Sequence, residues 1–512
     1  MSAVLVAWLA TLGLPAHAYG QGGITGAIAG TVTDPSGAPI PNVQIHIIDQ
    51  ATGVTARTVA SGADGTFVAP LLPPAAYRII ASAPGFAIFQ TSNIDVAVTA
   101  TVNIAVKMKV GSVKQTITVS GVAAAVQLHS AVTGEAIEAH TVETLPLSTR
   151  NFLTLLALSP GASTDLFPSS NVGRGSVTLN VNGERPANNN YQLEGINAND
   201  YNLPVTDNVP LPNPDAIEEF KTQTSLYDAS QGRNAGGNIQ VLMKTGTNKY
   251  HGDASEFFRN EALNANDFFL NEAGQPTPQL RQNVFGGSSG GPVPKMKNFF
   301  FFGNYQGTRA SSGISTGTFL STQIPVLPAD RSPANLISSY FPSGLPPGIT
   351  SLDPSAVAFL NLPASKCPGF NDGTHCIPSL PGTPGLTGNA VNLATLSRSL
   401  AGPFSENQFS ITTDKQLTLK DKLQFRWFYN QQSDIEPFGE QSSLSSGQLP
   451  FAQNLPLSNR FAALSWTRMV SPNTTNEARL GFNRFGFALK PTQPITLSDI
   501  SAARGNSAQF PG

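Results

Sequence analysis

Few residues of this 512-residue chain are spaced for bond-making chemistry. The string Gly287-Ser-Ser289-Gly-Gly291 has the spacing of a nucleophile elbow, in which a sharp turn between a strand and a helix exposes a serine. Pro292-Val-Pro294 follows at once, and proline lacks the N–H that a helix there would need. The string therefore reads as a strand end or turn. The six histidines, at positions 17, 46, 129, 140, 251 and 375, include no pair at metal-ligand spacing. Cys367 and Cys376 sit close together in a polar, Pro/Gly-rich stretch with only His375 nearby, so a zinc site would lack its second ligand pair. In an exported protein two such cysteines pair as a disulfide. No phosphate loop or dinucleotide fingerprint is present. The expectation is a non-enzyme with no catalytic residue, no metal and no cofactor.

Such a chain must act by binding and positioning, and its composition says where. Charged residues make up 12% and the net charge is −2, about half the charge of an ordinary soluble domain. Nothing in this points to a nucleic-acid tail or a polybasic membrane patch. Thirty Phe stand beside 47 Gly and 40 Pro, which fits a β-rich protein. An apolar run from Val4 to Leu14 ends in Ala16-His17-Ala18, the small-x-small pattern of a signal peptidase site. Residues 1–18 are therefore expected to be a signal peptide cleaved after Ala18, with a buried first helix as the alternative. No basic residue precedes the run. No later stretch offers the ~18 apolar residues of a spanning helix, so membrane insertion would have to use strands.

From residue 23 to 110, alternation of period two recurs at Val43, Ile45 and Ile47, at Tyr77, Ile79 and Ala81, and from Ile94 to Val110. This is the mark of strands with one buried face. Turns fall at Asp34-Pro35-Ser36-Gly37, Asp64-Gly65 and Leu72-Pro73-Pro74. The motifs from Gly30 to Ile40, Asp64-Gly65-Thr-Phe67, and Tyr77 followed by Pro84-Gly85-Phe86 resemble the carboxypeptidase regulatory-like, transthyretin-like domain. That resemblance implies a non-catalytic β-sandwich, shared with carbohydrate-binding-like folds. Ala75 departs from the family's usual glycine.

Residues 111–121 form a linker ending in Gln115-Thr116-Ile117-Thr118-Val119-Ser120-Gly121. The segment resembles a TonB box, by which a periplasmic energy-coupling protein of the TonB type engages its receptor through strand addition. The other reading is the last strand of the sandwich. Residues 122–249 turn to mixed α/β patterning. A short helix is expected from Leu153 to Leu158, with Ser148 or Thr149 as its N-cap. Then follow Asn182-Gly183-Glu-Arg185-Pro186, Leu193-Glu194-Gly195-Ile196, Ile217-Glu-Glu219-Phe220-Lys221 and Gly236 to Asn248. This order resembles the plug domain of TonB-dependent receptors with an Oar-like barrel. Glu194 stands where that family more often has Asp, and Ser230-Gln231 where it often has Ala-Glu. Arg150 and Arg185 either bridge to carboxylates of a barrel wall or lie on a solvated face.

From residue 250 strand signals recur. His251 opens the first strand, and Phe299 to Phe302 reads as a hydrophobic strand or interfacial girdle. Leu423, Phe425, Trp427 and Tyr429 share one face of a strand while Gln424, Arg426 and Phe428 share the other, the outward-apolar pattern of a transmembrane strand. Residues 311–406 break this pattern and contain both cysteines, so they read as a long extracellular loop. The expected fold is mainly β: sandwich, α/β plug, and the incomplete start of an antiparallel transmembrane barrel over 250–512. About seven strand candidates are too few to enclose a plug, which needs about 22, so the chain reads as the N-terminal part of a longer protein. The resemblance implies an outer-membrane receptor or transporter in a Gram-negative-type bacterium. Its partners would be a TonB-type coupling protein, outer-membrane lipid and an unidentified extracellular substrate such as an oligosaccharide or peptide, with no nucleic acid. The alternative is a surface-exposed adhesion or binding protein that does not transport.

Overall fold

In the computed structural model the described residues are 23–111, 116–119, 132–145, 147, 149–164, 177–200, 209–227, 231, 234–266, 268–272, 274, 276–313, 318–367, 371–388, 390–439, 452–472, 474–491, 495 and 499. The expected signal peptide, Ala18 included, lies outside them, as do Gln115, Ser120 and Gly121 of the candidate box.

The first eight strands are β1 (Gly26–Thr33), β2 (Gln44–Asp49), β3 (Thr55–Ala60), β4 (Thr66–Leu72), β5 (Ala75–Ser82), β6 (Ile88–Val96), β7 (Thr101–Lys107) and β8 (Thr116–Val119). They form two sheets, ordered β4-β1-β7 and β3-β2-β5-β6-β8. Alternate residues of each strand turn inward, so Ile28, Val32 and Phe67 meet Ile45, Ile47, Tyr77 and Ile79 in one apolar core, as facing sheets of a sandwich do. The Tyr77 hydroxyl donates to the Pro73 carbonyl at 2.6 Å and satisfies its polar end. The sandwich does not stop at residue 110. Thr116–Val119 pairs parallel with β6, in register from Ile88↔Thr116 to Thr91↔Val119. Part of the linker expected to be free is thus the edge strand of the larger sheet.

The next module contains β9 (Thr133–Glu138), β10 (Ala162–Thr164), β11 (Leu179–Val181), β12 (Asn190–Leu193), β13 (Ile196–Asn197), β14 (Ile217–Ser225) and β15 (Asn238–Met243). Five of these form a sheet in the order β13-β12-β15-β14-β9. The expected helix is a 3-10 helix over Phe152–Leu158, and its N-cap is neither Ser148 nor Thr149. Asn151 caps it, its side chain accepting from the Leu153 N–H at 3.0 Å. The chain turns at Arg150 (φ 53°), and the cap falls two positions after Thr149 and three after Ser148.

The third module is an antiparallel meander. Its strands are β16 (His251–Asn260), β17 (Leu280–Pro292) and β18 (Phe299–Ser312), followed after an excursion by β23 (Gly402–Gln416), β24 (Asp421–Glu436), β25 (Gln453–Ser471) and β26 (Thr474–Phe487). The two-residue β27 (Lys490–Pro491) pairs with β25. Connections 293–298, 417–420 and 472–473 are short and lie at one end of the sheet, whereas 261–279, 313–401 and 437–452 are long and lie at the other. In outer-membrane barrels the short turns are periplasmic and the long loops extracellular. On β23, Glu406, Gln408, Ser410, Thr412 and Asp414 are buried on the face toward the plug while Phe409 and Ile411 are exposed on the opposite face. On β24, Arg426, Phe428 and Asn430 point inward, the face assigned to Arg426 and Phe428 by alternation.

The string at Gly287–Gly291 is a strand end, one of the two expected readings, and not a turn. It lies within β17, paired on one side with β16 and on the other with β18. The expected loop 311–406 is shorter at both ends, since 311–312 belong to β18 and 402–406 to β23, and it is not without strands and helices. It folds as an outer lobe with β19 (Phe319–Pro325) paired to β22 (Leu393–Ser399), a small hairpin of β20 (Leu386–Thr387) and β21 (Ala390–Val391), and helices at Pro333–Tyr340 and Pro354–Leu360. Its core gathers Ile324, Leu327, Leu362, Ile377 and Leu396 around a disulfide between Cys367 and Cys376, whose Cα atoms are 5.0 Å apart. The fully buried Arg331 donates to the carbonyls of Leu360 and Ile377 at 2.6 and 2.7 Å.

Candidate functional site

The plug packs against the inward face of the meander, and its core continues into the wall through Phe428, Phe461 and Ala463. Around that apolar contact the interface is polar. The wall hydroxyl of Thr412 donates to the Lys244 carbonyl at 2.7 Å, and the Asn213 amide donates to Asn304 at 2.5 Å.

Its most charged point is the β12–β13 hairpin. Leu193-Glu194-Gly195-Ile196 makes a two-residue turn with positive φ at both central residues, 52° and 70°, the geometry of a tight type I′ hairpin. Gly195 fits because a Cβ there would lie 1.9 Å from the Arg479 guanidinium, and Ile196 packs over Gly481, where a Cβ would collide with it. One Glu194 oxygen accepts the Met243 N–H at 2.7 Å, and the other faces Arg426 Nε at 3.4 Å. Arg426 also donates to Asp414 at 2.5 Å, and Lys422 stands 2.9 Å from the same carboxylate. Arg479 donates to the Glu194 carbonyl at 3.1 Å and pairs with Glu477 at 2.6 Å. Each buried charge thus has an opposite charge and further hydrogen bonds, the condition under which burial is tolerated.

The plug–wall ion pair exists with its polarity opposite to expectation: the plug supplies the carboxylate and the wall the guanidinium. Arg150 pairs within the plug, to Asp215 at 2.6 Å, and reaches the wall through the neutral Gln306 amide at 3.3 Å and the Phe257 ring at 4.2 Å. Arg185 is exposed and has no ion pair among the described residues.

A second junction joins sandwich to plug. The turn between β6 and β7 carries Val98 and Thr99, the latter at φ 56°. Both carboxylate oxygens of Glu219 on β14 accept the Val98 N–H, at 3.0 and 3.2 Å. Lys221, two residues on and on the same face, donates to the Val98 carbonyl at 2.8 Å and to the Thr99 hydroxyl at 2.7 Å. Ile24, Val98 and Leu242 seal the contact. Burial pushes the Glu219 carboxyl up to about 7, only partly opposed by the Val98 N–H and Lys221, and it lowers the Lys221 ammonium. A cavity of about 330 Å³ lies where sandwich, plug and wall meet, lined in part by Tyr77, Glu194, Met243, Asp414, Arg426 and Arg479.

Period two alone puts Glu219 and Lys221 on one face, a signal available in the sequence, but their partner is 121 residues away. The candidate box contributes only Thr116, Ile117, Thr118 and Val119 to the described structure, paired with β6 along one edge. No group of three or more potential metal ligands occurs among the described residues. No helix among them is long and apolar enough to cross a membrane, which says nothing of crossing by strands.

Residues 242–511 match the family described as an outer membrane beta barrel domain, and residues 27–109 match the carboxypeptidase regulatory-like domain. The TonB-dependent transporter Oar of Myxococcus xanthus is 24% identical over 388 residues, covering 69% of this chain and 35% of that protein. This chain therefore spans about a third of the length of that relative. Among solved structures, the outer membrane transporter YddB from Escherichia coli aligns at 11% identity with a TM-score of 0.43, over 70% of this chain and 40% of that one. The ferric enterobactin receptor of Pseudomonas aeruginosa aligns at 11% with a TM-score of 0.38, over 69% and 41%.

Proposed function

This chain belongs to the outer-membrane β-barrel family, related to the TonB-dependent transporters, and from that premise we propose that it takes up an extracellular substrate through a plugged barrel. The observation that carries the reading is the placement of the modules. The plug covers the polar face of the wall, and the sandwich lies at the short-turn end, where Asp49, Arg57 and Tyr77 line a cavity together with Gln416 and Lys422. In a barrel of this kind that end faces the periplasm, where a coupling protein could add a strand to β8. Substrate would meet the outer lobe and plug on the opposite side. Pull on residues 115–121 would then rearrange a plug held to the wall by hydrogen bonds and ion pairs. The step needs no bond chemistry.

An adhesion protein would instead display its sandwich outside the cell. Epitope insertion at Gly37, a sandwich turn with open space around it, and at Gly348 in the outer lobe separates the two. On intact cells the reading predicts antibody access at Gly348 and none at Gly37 until the outer membrane is permeabilised. Access at Gly37 in intact cells would favour adhesion.

A further inference from the structure

We propose that the sandwich is mechanically in series between the coupling segment and the plug, with Glu219 and Lys221 as the positioning residues that pass the load. The inference rests on the coupled-transport reading and adds a route for the force.

Chain length directs the load. Only five residues, 111–115, separate the sandwich bridge at Val110 from β8, whereas thirteen, 120–132, separate β8 from β9 of the plug. At most ~3.6 Å per residue, the first tether reaches about 18 Å and the second about 45 Å. The pairing of β8 with β6 shortens the sandwich side further. A pull on β8 therefore loads the sandwich before the direct connection to the plug can become taut.

That load arrives at the turn between β6 and β7. β6 runs into the turn at Val98 and Thr99, which Glu219 and Lys221 grip from β14. Glu219 stands opposite Leu242 on β15, and Leu242 packs with Val98. The next residue, Met243, donates its N–H to Glu194, the carboxylate that faces Arg426 of the wall. The sandwich grip and the wall latch thus sit on neighbouring residues of two adjacent plug strands. Movement at Val98 acts on the part of the plug that anchors the Glu194 hairpin.

The test pulls the full-length protein in a supported bilayer from a handle at Thr118→Cys, with a donor–acceptor dye pair reporting separation of the Glu194 hairpin from β24. In the native protein the hairpin should leave the wall early in the extension. In a Glu219→Ala, Lys221→Met variant the event should come later, by up to about 45 Å, once residues 120–132 are taut. Cross-linked cysteines at Val98 and Leu242 in that variant should restore the early event, which separates loss of the grip from misfolding. The same extension in native and variant protein would overturn the proposal, as would failure of the cross-link to restore it. Because the handle replaces the coupling protein, this result is independent of whether such a protein acts on the chain.

Discussion

Arg426→Met removes the guanidinium that joins plug to wall and keeps most of the stem's volume. Its side chain and those of Glu194 and Asp414 are each less than a tenth exposed. Asp414 retains Lys422 at 2.9 Å, so the wall carboxylate keeps a counter-charge. Glu194 keeps the Met243 N–H but no directly paired cation. Stripping the partner from a buried ion costs about 3–5 kcal/mol, and the surviving hydrogen bond places this case near the lower end. At about 1.4 kcal/mol per factor of ten, opening of the hairpin should become about 100-fold more frequent. Hydrogen exchange at the amides of Ile196 and Met243 reads that opening directly, while the β23–β25 amides report the wall. The comparison is Arg281→Met, whose partner Glu261 lies 3.3 Å away and whose own side chain is 62% exposed; such surface pairs contribute about 0–1 kcal/mol. Exchange in the Arg426 variant within a few-fold of the Arg281 variant would refute the view that this ion pair holds the hairpin. A uniform rise across β23–β25 would instead make Arg426 a residue of the wall alone.

The Glu219 carboxyl, raised by burial from 4.5 to about 7, holds extra protons in the folded state between those values. Its contribution to the sandwich–plug junction is therefore fully present below pH 4.5 and lost as pH rises through about 7, on the order of 3 kcal/mol in all. Calorimetry from pH 5 to 8 should show a falling transition that Glu219→Gln flattens, and an unchanged slope in that variant would assign the dependence elsewhere. Reducing the Cys367–Cys376 bond removes a short-loop constraint contributing about 2–3 kcal/mol. Proteolysis within residues 313–401 should accelerate while the strands of the wall stay protected, and equal cleavage of oxidised and reduced protein would contradict this. Cleavage after Ala18 predicts a mature N-terminus at Tyr19 by mass spectrometry, and retention of Met1 on membrane-associated protein would exclude a leader.

Much of the fold was legible because a strand with one buried face writes itself as alternation. Ile45 and Ile47, or Phe409 and Ile411 against Gln408 and Ser410, state their faces directly. The outer lobe was not legible by that rule, since a disulfide, a buried arginine and helix caps hold it together. Ser332-Pro333 and Asp353-Pro354, each a capping residue followed by proline at the first helical position, were the signals available there. The site was less legible than the fold. Glu194 and Lys221 stood out inside recognisable plug motifs, but their partners Arg426 and Val98 come from other modules. The polarity of the wall latch depends on which side of the interface holds the arginine, and no local pattern states that. Thr116–Val119 has the same strand chemistry whether it pairs with β6 or with another protein, so both readings fit its sequence.

If force on residues 115–121 drives uptake, as proposed, a change that blocks this strand must stop it. In full-length protein expressed in its own outer membrane, Ile117→Pro removes one backbone N–H from that strand and blocks its addition to a partner sheet. Once a substrate is identified, its accumulation and its surface binding can be measured on the same cells. Accumulation should be lost while binding is retained. Accumulation at the native rate in the Ile117→Pro strain would contradict it.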